Sequence, residues 1–265
     1  MTLLLIDAGN TRIKWAMVDA QDCRREALGN FTYSGMVSHA DFQQLGAQWS
    51  HLTIDRVIIS NVAGQRVHEA LQQALLDKFG SRRVPIEWFG SAALLAGIHN
   101  HYREPTQLGC DRFASVIGAH TLFPNKALIV ATCGTATTID AISVDGIFFG
   151  GMILPGLGLM ATSLARNTAQ LPQIGECVVV KNTFADNTDD AIISGCIAAQ
   201  AGAIERAVAA HHLHDGSVQC ILSGGAASMI SPALSIPYLR IDNLVLLGLH
   251  AVAIHNVLIE GQSPC

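Results

Sequence analysis

The feature that most constrains the fold of this chain is a faint internal duplication. Leu3-Leu4-Leu5-Ile6-Asp7-Ala8-Gly9-Asn10-Thr11 can be laid over Leu128-Ile129-Val130-Ala131-Thr132-Cys133-Gly134-Thr135. With Gly9 over Gly134 the offset (134 less 9) is 125 residues, close to half of a 265-residue chain. Each copy reads as an apolar strand, a small polar turn with glycine, and a second strand. Such a duplication predicts two related lobes, 1–123 and 124–265, with the boundary near residues 123–126. Glycine turns at matching places could then clasp one ligand between the lobes.

The rest of the pattern is that of an α/β chain. Val57–Ser60 is a further buried strand, and Arg66–Phe79 places Val67, Ala70, Leu71, Leu75 and Phe79 at helical spacing. Asp111–His120 predicts a helix with Phe113, Ala114, Ile117 and Gly118 on one face. Ala127–Val130 starts a strand, with Thr137–Ile142 and Ile147–Ile153 as antiparallel neighbours. Thr188–His211 is a long helical pattern whose inward face is expected to carry Ala191, Ile192, Gly195, Ala199, Gly202 and Ile204. Val218–Leu222 is a strand that ends in Ser-Gly-Gly, and Leu244–Ile259 is a closing helix.

Composition excludes several classes. Half the residues are hydrophobic and 14% are charged, so the chain is not predominantly disordered. A mean hydropathy of +0.35 requires a test for membrane spans. Gly146–Ala165 is broken by Pro155 and several glycines, and Leu244–Ile259 by His250, His255 and Asn256. Neither offers the roughly 20 unbroken apolar residues of a spanning helix. A net charge of −5 argues against a nucleic-acid surface. The seven cysteines, at 23, 110, 133, 177, 196, 220 and 265, form no CxxC or CxxH pair and read as reduced thiols. No basic segment precedes the apolar Met1–Ile6, so a cytoplasmic address is expected.

Three glycine turns carry the chemistry. In Asp7-Ala8-Gly9-Asn10-Thr11-Arg12-Ile13-Lys14, Gly9 permits close backbone approach, and Asn10, Thr11 and the turn amides suit phosphate oxygens. Lys14 adds a point charge, and Asp7 could hold Mg²⁺ through water. Gly134-Thr135-Ala136-Thr137-Thr138-Ile139-Asp140 offers a second small concavity lined by hydroxyls. Ser223-Gly224-Gly225 would let a flat nucleobase or ribose lie on the backbone. Neither GxxxxGK[ST] nor GxGxxG occurs. Within the first lobe, Tyr102 precedes Leu108-Gly109-Cys110-Asp111-Arg112 at a loop-to-helix junction. A carboxylate there can act as general base, and the guanidinium can grip a substrate carboxylate.

In this order and at these distances the turns resemble the phosphate-1, phosphate-2 and adenosine motifs of the acetate and sugar kinase, heat-shock protein 70 and actin superfamily. The resemblance implies two ribonuclease H-like lobes with ATP in the cleft between them. DxGNTxxK, Tyr…P…LGxDR, GTAxTID and Gly150-Gly151-Met152-Ile153-Leu154-Pro155-Gly156, continuing to Leu164, Thr168, Ala169, Leu171 and Pro172, together look like type III pantothenate kinase. That family resemblance implies ATP-dependent phosphorylation of pantothenate to 4'-phosphopantothenate, the first step of coenzyme A biosynthesis. It assigns residues 7–14 and Gly134, Thr135, Gly224 and Gly225 to ATP, and Asp111 to proton acceptance. It also assigns Tyr102, Gly109, Cys110, Arg112 and Thr188 to pantothenate, with Thr188 acting across a homodimer interface.

The sequence departs from that pattern at Thr132, where the family often has an aspartate that binds a monovalent cation such as K⁺ or NH₄⁺. The duplication points to the same position, because Asp7 overlies Thr132. Ala226 replaces an acidic residue that many relatives carry after the glycine pair. Other readings are a regulatory accessory protein on the same scaffold, or a sugar kinase; Asp7, Asn10, Asp111 and Arg112 together favour a working enzyme. His211, His212 and His214 read as cations at a helix end rather than a metal cluster. Trp15, Trp49 and Trp88 read as isolated packing residues, and Gly158, Gly195 and Gly202 as close-packing positions. Glu205-Arg206 reads as a solvated patch.

Overall fold

The computed structural model describes residues 2–19, 24–167 and 183–260. They form two compact units, one from residues 2–124 with 244–260, the other from 125–243. The first junction falls between residues 124 and 125. The closing helix, however, belongs with the first unit rather than with the second lobe.

In the first unit, the first copy of the repeat becomes β1 (Thr2–Ala8) and β2 (Arg12–Asp19). With β3 (Tyr33–Ser38), β4 (Arg56–Asn61) and β5 (Ile86–Trp88) they form a sheet of order β3-β2-β1-β4-β5. β1 runs antiparallel to β2 and β2 to β3, whereas β1–β4 and β4–β5 are parallel. A central strand must be apolar on both faces, and Leu3, Leu4, Leu5 and Ile6 are fully buried. Helices α1 (Gln44–Trp49) and α2 (Gln65–Phe79) cover one face. Val67, Leu71 and Leu75 join Leu4, Ile6, Ile13, Val57 and Ile59 in that core. Trp15 and Trp49 are not isolated: their rings meet edge to face at 6.4 Å, and Trp88 stacks on His68 at 3.7 Å. A short hairpin, β6 (Leu94–Leu95) and β7 (Ile98–Asn100), leads to α3 (Cys110–Leu122).

The second unit repeats the plan. β8 (Ala127–Cys133), β9 (Ala136–Ile142), β10 (Ile147–Pro155), β11 (Val218–Ser223) and β12 (Tyr238–Arg240) lie in the order β12-β11-β8-β9-β10. Here β8–β9 and β9–β10 are antiparallel, and β8–β11 and β11–β12 parallel. Strand for strand this is the first sheet again, so the faint duplication in sequence is a duplication of topology. The unit also holds α4 (Leu157–Asn167), α5 (Thr188–Asp215) and α6 (Ala227–Ile230).

Of the six residues expected on the inward face of α5, Ile192 and Ile204 are buried there and the other four are not. Ile192, Ile193, Cys196, Ala201, Ile204 and Ala207 enter the core, while Ala191, Gly195, Ala199 and Gly202 are exposed. A Cβ at Gly158, Gly195 or Gly202 would meet nothing within 4 Å, so none of them serves close packing within the chain. Residues 188–213 of α5 are long and apolar enough to cross a membrane by length and composition, yet one side of the helix is core of this unit. His211 is buried rather than an exposed cation, and donates Nε2–H to the Ile142 carbonyl oxygen at 2.8 Å. Gly216, at φ 72°, ends the helix as expected. Glu205 is partly held, accepting the Ser235 N–H.

Glycines that let two helices touch lie instead in the first unit, between α3 and α7 (Leu244–Glu260). A Cβ at Gly118 would come 2.8 Å from the Gly248 nitrogen, and one at Gly248 would collide with the Ala114 carbonyl oxygen. Two facing glycines therefore let these helices touch backbone to backbone. Among the described residues, Cys110, Cys133, Cys196 and Cys220 are free thiols; Cys23, Cys177 and Cys265 lie outside them.

Candidate active site

The first unit gathers the candidate carboxylates and their neighbours. Asp7 closes β1, opposite Lys14 on β2 and Ser60 on β4. Beyond it the chain turns through Gly9, whose N–H donates to the Arg12 carbonyl oxygen at 3.1 Å. Asn10, Thr11 and Arg12 are exposed in this turn, whereas Ala8 and Ile13 point into the core, leaving only their backbone to the turn. His39, which the sequence reading passed over, donates Nε2–H to the Gly9 carbonyl oxygen at 2.9 Å and braces the turn.

Asp111 and Arg112 sit in the first turn of α3, where Gly109 is the N-cap. A Cβ at Gly109 would stand 2.9 Å from Asp111 Oδ1, so the glycine leaves room for the carboxylate. Asp111 Oδ1 accepts the Arg112 N–H at 2.8 Å. Burial pushes the Asp111 pKa above the usual carboxylate range, while that N–H and the Arg112 charge pull the other way. Asp7 is displaced further, up to about 7, mainly by desolvation and then by the Asp111 charge, with Lys14 opposing. The Asp111 charge therefore reaches Asp7.

Cys110 is tied into the fold. Its Sγ accepts the hydroxyl of the buried Ser60 at 3.3 Å and donates to the Asn61 carbonyl oxygen at 3.5 Å, anchoring the start of α3 to the end of β4. Burial raises this thiol's pKa. Ser60 carried one sequence signal, its place at the end of an apolar strand beside the one that bears Asp7. Arg112 is buried, and its Nη1 donates to the Tyr102 hydroxyl at 2.9 Å.

The second unit gathers the other glycine turns. The Gly134 N–H donates to the Ala136 carbonyl oxygen at 3.0 Å, and the Thr135 carbonyl accepts the Gly156 N–H at 2.9 Å. Gly134 and Thr135 are exposed. Gly224, at φ 94°, is a glycine for a different reason than a flat ligand: a Cβ there would strike the Cys133 backbone. Gly225 meets nothing within 4 Å, so the open backbone is at that position. Thr132 is partly exposed at the end of β8. Thr188 is exposed in the first turn of α5, which Asn187 caps by accepting the Asp190 N–H at 3.0 Å. Thr168, Ala169, Leu171 and Pro172 lie outside the described residues.

Among the described residues no group of three or more His, Cys, Asp or Glu side chains could hold a metal ion alone. Mg²⁺ in phosphotransferases usually takes one or two carboxylates and fills its remaining positions with phosphate oxygens and water. A desolvated Asp7 that already feels a second carboxylate fits that requirement.

A strand order repeated in both units, and glycine turns following Asp7 and Cys133, define an actin-like ATPase fold of the kind shared with sugar kinases. The solved activator of 2-hydroxyisocaproyl-CoA dehydratase from Clostridium difficile, which has ADPNP bound, has this fold: TM-score 0.50, 11% identity, covering 99% of this chain and 97% of that one. The family model for type III pantothenate kinase matches residues 3–210. The type III pantothenate kinase of Herminiimonas arsenicoxydans is 56% identical over 257 residues, covering 96% of this chain and 98% of the relative. That of Janthinobacterium sp. (strain Marseille) is 57% identical over 256 residues, with the same coverage. The chain belongs to the type III pantothenate kinase family.

Proposed function

We propose that this chain transfers the γ-phosphate of ATP to the primary hydroxyl of pantothenate, giving 4'-phosphopantothenate, with Asp111 as the proton acceptor. The observation that carries the assignment of roles is the acidic pair itself. Asp111 is half-buried, raised in pKa by desolvation and held by the amide of the residue that follows it, and its charge reaches Asp7 near the end of β1. A raised carboxylate pKa brings a general base closer to working pH, and such help is worth about 10²–10⁴-fold.

Arg112 takes the pantothenate carboxylate with its planar fork, steadied by Tyr102. The amides of the 9–12 turn and Lys14 hold ATP phosphate oxygens, and the Gly134-Thr135 turn does so in the second unit. Asp7 would hold Mg²⁺, which supplies charge neutralisation at the phosphates. Phosphoryl transfer passes through a loose transition state, so these residues act chiefly by alignment and charge. Two features support a homodimer in which Thr188 reaches a neighbour's pantothenate. They are the exposed stripe Ala191, Gly195, Ala199 and Gly202, and the position of Thr188 at the head of the same helix. Thr132 offers a neutral hydroxyl in place of a carboxylate, which would bind K⁺ or NH₄⁺ less strongly, and we take the requirement to be relaxed. The enzyme is assigned to the cytoplasm.

The accessory-protein reading is not favoured, because curated relatives at 56–57% identity are named as the kinase. An ADP-release assay with pantothenate, glucose and N-acetylmannosamine tests the substrate. Turnover with pantothenate alone is expected, and turnover with a sugar instead, or none at all, would overturn the proposal. Repeating the assay in K⁺, NH₄⁺ and Na⁺ tests the cation, with little difference among the three expected.

A further inference from the structure

Asn100 ends β7, two residues before Tyr102, and no sequence motif drew attention to it. Its side chain is buried, with 6% exposure. The side-chain Oδ1 accepts the Tyr102 N–H at 3.1 Å, and Nδ2 donates to the Pro105 carbonyl oxygen at 3.1 Å. Its own N–H donates to the Ala93 carbonyl oxygen at 2.8 Å. One amide group thus closes the 102–105 turn from both ends while its backbone is fixed to the preceding hairpin. A buried amide is costly unless both of its ends are paired, and here the pairing fixes the backbone that carries Tyr102. The Tyr102 hydroxyl in turn accepts from Arg112 Nη1 at 2.9 Å.

We propose that Asn100 is a positioning residue for the acceptor substrate: by holding the 102–105 turn it fixes Tyr102, and through the Tyr102 hydroxyl it sets the direction of the Arg112 guanidinium. The inference rests on the assignment of Tyr102 and Arg112 to pantothenate. The chemistry selects asparagine. Aspartate could accept the Tyr102 N–H but, ionised, could not donate to the Pro105 carbonyl. Alanine would leave both groups without their partner.

The test is a cycle of Asn100→Ala, Tyr102→Ala and the double variant, with pantothenate and ATP varied separately in steady-state assays. Asn100→Ala is expected to raise the KM for pantothenate about tenfold, while kcat and the KM for ATP stay within about twofold. The double variant is expected to match Tyr102→Ala alone, because both substitutions remove one support. A general loss of folded enzyme would instead lower kcat and leave both KM values alone. That result, or effects that multiply in the double variant, would overturn the inference. If Tyr102→Ala leaves the pantothenate KM unchanged, the assignment of Tyr102 fails and the inference falls with it. If Tyr102→Ala acts and Asn100→Ala does not, only the inference fails. Should Asn100→Ala not fold, Asn100→Ser keeps an oxygen for the Tyr102 N–H. It must then show the same KM-only pattern at a smaller factor, and a fall in kcat instead would count against the proposal.

Discussion

Arg112 Nη1 donates to the Tyr102 hydroxyl oxygen at 2.9 Å, and the guanidinium carbon stands 5.7 Å from the centre of the same ring. A cation held at once by a hydroxyl and an aromatic face has its plane set before substrate arrives. Lysine carries the charge but neither the plane nor the fork. Arg112→Lys is therefore expected to raise the KM for pantothenate by about 10–100-fold with a smaller change in kcat. Initial rates over a pantothenate range check this, and an unchanged KM would remove Arg112 from the substrate site.

Asp111→Asn keeps the shape of the side chain and its acceptance of the Arg112 N–H, but not its basicity. Turnover should fall by about 10²–10⁴-fold. ATP affinity, measured by calorimetry without pantothenate, should stay within about twofold. Wild-type turnover in this variant would disqualify Asp111 as the base.

The Asp7 carboxyl titrates at 3.8 in an unfolded chain and at about 7 in the fold. The folded state thus binds the extra proton between those values. Its stabilising effect is complete below the lower value and is lost as pH rises through the upper one. Without nucleotide or metal, the wild type should lose stability relative to Asp7→Asn on going from pH 4 to pH 7, on the order of 3 kcal/mol. Paired denaturant curves across that range read the difference. Parallel curves would show that Asp7 is not held in its protonated form.

Gly248→Ala puts a methyl group where the Ala114 carbonyl oxygen already sits. The helices must part, at a cost of about 3 kcal/mol or more. Gly195→Ala, where a Cβ meets nothing within 4 Å, is the control and should leave the stability of the isolated chain unchanged or raise it by up to about 1 kcal/mol, because alanine is the better helix former. Equal melting temperatures for both variants would refute the α3–α7 contact.

The legible part of this fold was whatever local pattern dictates. Asp7-Ala8-Gly9 after an apolar strand announced a strand and a turn, and its echo at Cys133-Gly134 announced the second sheet. The helices over 66–79 and 111–120 were visible from their spacing. What stayed hidden depends on partners distant in sequence. Glycine at 118 and 248 looks like a weak helix position until the two helices are seen touching. On α5, small residues at every third or fourth position mimic an inward face, but the larger Ile192, Ile193 and Ile204 take it. In the candidate site, Asp111 and Arg112 stand out in the sequence because their chemistry is explicit, and Tyr102 only through the family motif. Ser60, His39 and Asn100 do not, since each works through a hydrogen bond to a backbone or thiol group that no motif records.

Because α7 joins the first unit, the order of synthesis matters. A ribosome delivers all of residues 125–243 before any of 244–260, so the second unit has its whole chain before the first does. Until then α3 emerges with its Gly118 face bare, and Asp111 rides on a helix without its neighbour. A message cut short just before codon 248 would encode every glycine turn and the acidic pair, yet yield a nascent chain lacking the contact that seats α3.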